Sequence, residues 1–230
     1  MKYTKEERSW ILQDWANSAY SIMITTAILP IYFKGVADNA GIAGHTSTAY
    51  WGYANSIGTL LISVLAPILG TIADYQFFKK RFFNVFTMLG ILCTVAFTFV
   101  PSDGWLMLLG LYALSLIGFS GANIFYDSFL VDVTSNERMD RISSAGYAYG
   151  YLGSCIPFVI FIIFQATGIL PISQVALVNI GFLMTAIWWL GFTIPFFKNV
   201  QQHHYIERVK NPVRTSFKRL FQTVREIKKT

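Results

Sequence analysis

Charge is what this sequence has least of. Asp, Glu, Lys and Arg make up 13% of its residues, about half of what a soluble domain carries. The charges that exist gather in short segments, with long uncharged runs between them. A soluble core does not account for that distribution, and a polytopic membrane protein does. Cysteine is nearly absent as well. Cys93 and Cys155 both fall inside apolar runs, so neither a disulfide framework nor a metal site is indicated. The histidines, His45, His203 and His204, all lie outside those runs, which removes the membrane histidine a serine-type intramembrane protease would need. An aspartyl-type protease would need a Gly-x-Gly-Asp partner for Tyr126-Asp127, and the chain has none. No glycine-rich nucleotide loop occurs either. No catalytic residue and no cofactor is therefore assigned.

What is present is hydrophobic: 54% of the residues, with a mean hydropathy of +0.48. A helix crossing a bilayer needs about 20 mainly apolar residues. Six stretches qualify: 12–34, 50–73, 82–100, 105–131, 144–167 and 175–197. The expected fold class is an all-α membrane protein, a six-helix transmembrane bundle over 1–197 with a basic cytoplasmic segment over 198–230. Lys2, Lys5 and Arg8 precede the first span, Lys79, Lys80 and Arg81 lie between the second and third, and Arg138 and Arg141 between the fourth and fifth. From Lys198 onward the remaining cations follow, so every Lys and Arg except Lys34 falls on one side. That side is the cytoplasm, and both termini belong to it. The first span is too long for a cleaved signal peptide and reads as a retained helix. The net charge of +6 comes mainly from the tail and the short loops, so the partner implied is a lipid bilayer and not nucleic acid. Within the tail, Asn211 suits an N-cap and Pro212 a first helical position. Val213, Phe217, Leu220, Val224 and Ile227 then recur at helical spacing, with Arg214, Lys218, Arg225 and Lys228 on other faces. This predicts a basic amphipathic helix over 212–229 on the membrane surface or under the bundle.

Polar residues inside the spans are few and patterned. Asp14, Ser18, Ser21 and Thr25 are spaced to share one face of the first helix, and Asn17 flanks them. The fourth span carries Asn123 and Asp127 one turn apart, with Tyr126 and Ser128 alongside. Counted from span centres near residues 23 and 118, Asp14 and Asp127 lie at one depth, roughly 13 Å from the midplane. An acid within a membrane span marks a functional site by default, so these residues are read as a substrate or proton pathway. The alternative is structural. Hydroxyls can bond their own backbone or a neighbouring helix, and Asp127 can pair with Arg138, Arg141 or the basic cluster at 79–81. For Asp132 that pairing is the main expectation. The second span offers Asn55, Thr59 and Ser63 for packing and Pro67 for a kink. The third reads as peripheral and lipid-facing. The fifth presents Gly146, Gly150, Gly153 and Pro157 as a helix-packing seam, with Tyr147 and Tyr151 as second-choice substrate contacts.

The connection between spans two and three reads Gly70-Thr-Ile-Ala-Asp-Tyr-Gln-Phe-Phe-Lys-Lys-Arg81. It resembles the loop signature of the major facilitator superfamily, Gly-x-x-x-Asp-Arg-x-Gly-Arg followed by Arg or Lys. Gly70, Asp74 and Lys79 match, while Tyr75, Phe77 and Phe78 stand where Arg, Gly and Arg are usual. Three further strings point the same way: Asp14-Trp-Ala-Asn-Ser18, Tyr126-Asp-Ser-Phe-Leu130 and Arg141-Ile-Ser-Ser-Ala-Gly-Tyr-Ala-Tyr-Gly-Tyr-Leu-Gly153. Over residues 8–197 the chain looks like the N-terminal half of such a transporter, in the branch of the autophagy-related vacuolar amino-acid effluxers and their bacterial relatives. The resemblance implies two inverted three-helix repeats, with helices one and four lining a central cavity and three and six facing lipid. It also implies that Gly70, Asp74, Lys79, Lys80 and Arg81 form a cytoplasmic gate loop. The function implied is secondary transport, efflux of a small solute such as an amino acid, across a bacterial inner membrane or, in a eukaryote, a vacuolar or lysosomal one. Such a transporter has a second set of six helices. The chain is thus expected to be part of a longer reading frame, or a half-size transporter whose partner is a second copy. A non-transporting six-helix scaffold would need neither the intramembrane acids nor the hairpin.

Overall fold

A computed structural model describes residues 2–207, and within them six helices are long and apolar enough to cross a membrane. They are α1 (Lys5–Asn39), α2 (Gly44–Ala73), α3 (Phe78–Phe99), α4 (Trp105–Ser128), α5 (Asn136–Thr167) and α6 (Gln174–Asn199). The amphipathic helix expected over 212–229 lies outside the described residues.

Several helices run past the apolar stretches that mark them in the sequence, because hydropathy registers only the part that a bilayer surrounds. Thr4 and Glu7 close a capping box that starts α1 at Lys5, about two turns before its apolar stretch. Gly44 opens α2 inside what reads as a loop, and Phe78 opens α3, so Lys79, Lys80 and Arg81 sit in a helical first turn. The stretch between α4 and α5 is largely helical too, with a short turn at Leu130–Val133 and a 3-10 turn at Asn136–Arg138 that leads into α5. Gly168 ends α5 in the left-handed conformation, at φ 59°.

The α1 helix changes pitch midway. Its α-helical start, Lys5–Tyr20, passes into a π-helical segment, Ser21–Ile28, before α-helix resumes at Leu29 just ahead of Pro30. A π turn holds more residues than an α turn, so a face defined at α spacing does not continue through it.

Packing follows a matched pattern. The α1 helix lies between α5 and α6, α4 lies between α2 and α3, and α3 touches α6. Exchanging the first three helices for the last three maps the α1–α5 contact onto α4–α2 and α1–α6 onto α4–α3, the pattern of two inverted three-helix repeats. Tyr20 is the hub of the interior. Its ring stacks on Phe119 at 4.7 Å and lies 5.3 Å from Trp189, and its hydroxyl is 2.6 Å from that of Ser115. On the α2 side, Trp51 stacks on Tyr112 at 4.1 Å, and Tyr112 donates to Asn55 Oδ1 at 2.7 Å.

The α3 helix is more than a peripheral element. A Cβ built on Gly118 of α4 would lie 2.4 Å from the backbone nitrogen of Gly90, and one built on Gly90 would strike Trp189 of α6 at 2.5 Å. Phe83 packs on Phe196 at 4.2 Å. The glycines let α3 press directly on α4, and it buries more of its span than α2 or α5 does. The helices most exposed within this bundle are α2 and α5.

Candidate functional site

Two packing contacts set α1 against α4. The Trp10 ring stacks on Tyr126 at 4.5 Å while its indole N–H donates to the Tyr126 carbonyl at 3.0 Å. About two turns further along α1, Asn17 Nδ2 donates to Asn123 Oδ1. Beside these contacts the helices border an open cavity of about 460 Å³, in which Asp127 and Tyr147 are exposed. Asp14, Asn17, Ser18 and Ser21 face it from α1, Asn123 and Asp127 from α4, and Ser143 and Tyr147 from α5. The rings of Trp10, Phe119 and Tyr126 and the side chain of Leu130 complete its walls. Asp14 and Asp127 thereby face the same recess from the two helices.

No Lys, Arg or His lines this cavity, and neither carboxylate is in an ion pair among the described residues. The cations expected as partners are engaged elsewhere. Arg138 binds Glu7 at 2.8 Å, and Arg141 lies over the Tyr3 ring at 5.6 Å. The expected alternative of an Asp127–arginine pair is therefore not what the structure contains. Ser18 makes only a long contact of 3.5 Å with Asp14. A second recess of about 210 Å³ adjoins, between α1 and α5, and shares Asp14, Ser18, Ser21 and Tyr147. Thr25 is not brought to either recess. The π segment that begins at Ser21 turns the following residues off the face, and Thr26 bonds the Ser21 carbonyl instead, at 3.0 Å.

The end of the bundle that carries the basic residues is closed by a separate set of contacts. Lys79, at the start of α3, reaches Asp132 at 2.8 Å and the Ser128 carbonyl at 3.2 Å, beneath the Phe129 ring. Lys80 donates to the carbonyls of Phe196 and Val200, supplying donors to the orphan acceptors at the end of α6. Asp132 Oδ1 also accepts the backbone N–H groups of His203 and His204 at 2.9 and 2.7 Å. The segment after α6 is held flat across the bundle, where Ile206 N–H donates to the Asp74 carbonyl at 2.7 Å. Arg81 is exposed, and a Cβ at Gly70 would meet nothing within 4 Å.

The glycines of α5 face α1. A Cβ on Gly146 would lie 2.8 Å from the Trp10 ring, on Gly150 2.8 Å from Ser18 Oγ, and on Gly153 2.6 Å from the Trp15 ring. Pro157 is buried further along the same helix. The cavity wall thus depends on α5 approaching α1 closely.

The family profile described as vacuole effluxer Atg22 like matches residues 2–138 and 131–230. The chain belongs to that family. It is 48% identical over 230 residues to an uncharacterized MFS-type transporter, YxiO, of Bacillus subtilis (strain 168), a match covering 99% of this chain and 54% of the relative. It is 26% identical over 179 residues to an uncharacterized protein of Aquifex aeolicus (strain VF5), covering 78% of this chain and 43% of that protein. The chain spans about half the length of the curated relatives it matches. No solved structure matches it. This member of the Atg22-like family is a multi-pass integral membrane protein whose six helices are those of one half of a major facilitator-type transporter.

Sequence reasoning did not single out Glu7, Tyr126 and Trp10 as parts of the site. Glu7 stands three residues after Thr4, the spacing of the capping box found in the structure, and its second role, accepting from Thr134 and Arg138, needs the α4–α5 connection beside it. Trp10 reads as an interfacial ring, and only its partner Tyr126 makes it a cavity wall.

Proposed function

We propose that this chain is the N-terminal half of a secondary active transporter that moves a small solute by alternating access, and that it is not an enzyme. The observation that carries this reading is the cavity between α1 and α4, lined by two acids, by two asparagines about a turn away from them, and by aromatic rings. In a fold of inverted repeats, substrate and coupling ions bind at the interface between repeats and halves. The exposed apolar faces of α2 and α5, including Ile57, Leu61 and Val64 on one and Leu152, Ile156 and Val159 on the other, fit a covering second half. Residues 198–230 then form the cytoplasmic connection to it. Efflux enters from the family's description as vacuole effluxer Atg22 like, and amino acids from the resemblance to the autophagy-related effluxers. The membrane is a bacterial inner membrane, in keeping with the Bacillus and Aquifex relatives.

Reconstitution of the full-length protein in proteoliposomes tests the reading. Vesicles loaded with a mixture of unlabelled amino acids should take up labelled ones by counterflow, and Asn123→Trp, which fills the cavity, should abolish uptake without loss of folded protein. Counterflow that persists in Asn123→Trp would place the pathway elsewhere.

A further inference from the structure

We infer that the α1–α4 cavity holds a protonated amine, so that the solute is recognised by an ammonium group and not by its carboxylate. This rests on the transport reading only for what binding leads to.

Three features of the cavity converge on that class of ligand. The first is charge of one sign. Asp14 and Asp127 face a recess that no Lys, Arg or His enters, and the nearby cations are bound by Glu7, Asp132 and the α6 carbonyls. A cleft with walls of low dielectric focuses such a field and concentrates cations within it. An anion there would meet repulsion and no donor stronger than an amide or a hydroxyl.

The second is an orphaned hydroxyl. Tyr126 is 4% exposed and forms part of the cavity wall, yet its Oη has no hydrogen-bond partner among the described residues. Tyr126 shares that wall with Asp14, Asp127 and Tyr147. A buried hydroxyl without a partner is costly. An ammonium group brings three N–H donors; the two carboxylates would accept two of them, and a small shift of the Tyr126 ring, whose oxygen is sealed against α5 beside Gly146, would offer it to the third.

The third is the aromatic lining. Trp10, Tyr126 and Tyr147 present rings to the same space, and aromatic faces attract cations. By contrast the larger cleft at the other end of the bundle, about 640 Å³ between α1, α5 and α6, has no charged side chain in its walls.

Binding to the full-length protein in detergent, followed by isothermal titration, tests the inference with three probes of one skeleton: phenethylamine, phenylalanine and 3-phenylpropanoate. Phenethylamine and phenylalanine should bind and 3-phenylpropanoate should not. Asp14→Asn and Asp127→Asn should each weaken phenethylamine binding about tenfold or more, the loss of one charge-assisted contact. Tyr126→Phe should weaken it about threefold. Size-exclusion elution confirms that each variant is folded, and Asp127→Asn carries the test where Asp14→Asn is not. The inference is overturned if 3-phenylpropanoate binds as tightly as phenethylamine, if Asp127→Asn binds phenethylamine like the wild type, or if no amine binds at about 10 mM. Amine binding with no counterflow of any solute would leave this inference standing and remove the transport reading. Movement of 3-phenylpropanoate without amine binding would do the reverse.

Discussion

Lys79 Nζ lies 2.8 Å from Asp132 Oδ2, and the carboxylate has no exposure to solvent. The pair joins the start of α3 to the Leu130–Val133 turn that follows α4, and the other carboxylate oxygen holds the segment that follows α6. Removing one partner of a buried pair leaves an uncompensated charge, which costs about 3–5 kcal/mol. Asp132→Asn should therefore lower the thermal midpoint of the detergent-solubilised protein sharply, whereas Lys79→Met combined with Asp132→Leu should lower it far less. Equal losses in the single and double variants would mean that the ion pair is not what fastens this end.

Phe77 has the only positive φ of a non-glycine residue among those described, +70°, and its side chain is 62% exposed. It occupies the position where the superfamily signature has glycine. The left-handed conformation costs an L-residue about 1–2 kcal/mol, a penalty glycine escapes. Phe77→Gly should raise the thermal midpoint or leave it level, Phe77→Ala should be neutral, and Phe77→Val should lower it, since a β-branched residue tolerates that conformation worst. A midpoint for Phe77→Gly below that of Phe77→Val would show that the ring, and not the backbone, matters here.

Gly118→Ala tests the glycine contact between α3 and α4. The new Cβ would lie 2.4 Å from Gly90 N and 2.9 Å from the Phe86 carbonyl, and backbone atoms cannot turn aside. The helices must separate, at a cost of about 3 kcal/mol. Gly110, on the same helix, has nothing within 4 Å of its Cβ, and Gly110→Ala should be neutral or mildly stabilising. A comparable melting point for the two variants would rule out close contact of α3 on α4.

What the sequence made legible was whatever depends on period and charge. Six spans follow from hydropathy, and Asp14, Ser18, Ser21, Asn123 and Asp127 follow from spacing within single helices. Thr25 fits the same spacing but lies past a change of pitch that tertiary packing imposes, so the period misplaces it. Gly90 and Gly118 are invisible because an isolated glycine in an apolar run looks alike whether it faces lipid or another backbone. The ends of the helices were read short, since Lys5–Ile11 and Gly44–Ala49 are helical without being apolar.

The distribution of Lys and Arg puts the Lys79–Arg81 turn in the cytoplasm and the α1–α2 connection outside. Cysteine labelling with an impermeant reagent checks this in cells, in a background where the exposed Cys155 and the buried Cys93 are replaced. Ser47 would be a poor reporter, since it is 1% exposed within α2. Thr48→Cys and Asp103→Cys, both at exposed positions, should react from outside, and Phe77→Cys and Glu137→Cys should react only after the membrane is opened. Labelling of Phe77→Cys in sealed cells would invert the orientation.

Asp14 and Asp127 share one cavity with no cation beside them, and this bears on how transport would be driven. A site with two acids can be neutralised by two protons, by two cationic solutes, or by one of each. In the last case one carboxylate receives the ammonium group and the other exchanges a proton, which couples solute movement to the proton gradient. The outcomes separate in full-length protein reconstituted into vesicles. Replacing the acid that carries the proton by Asn should preserve exchange of labelled solute between equal compartments but abolish accumulation against a pH gradient. Replacing the acid that holds the ammonium group should reduce exchange and accumulation together, with the protein still folded. Asp127→Asn is the better candidate for the first pattern. Asp14 also borders the second recess toward α5, where a Cβ built on Gly150 would lie 3.0 Å from its carboxyl carbon, and it is the more confined of the two. Accumulation like the wild type in both Asn variants would refute coupling through this pair and leave the cavity as a binding site alone.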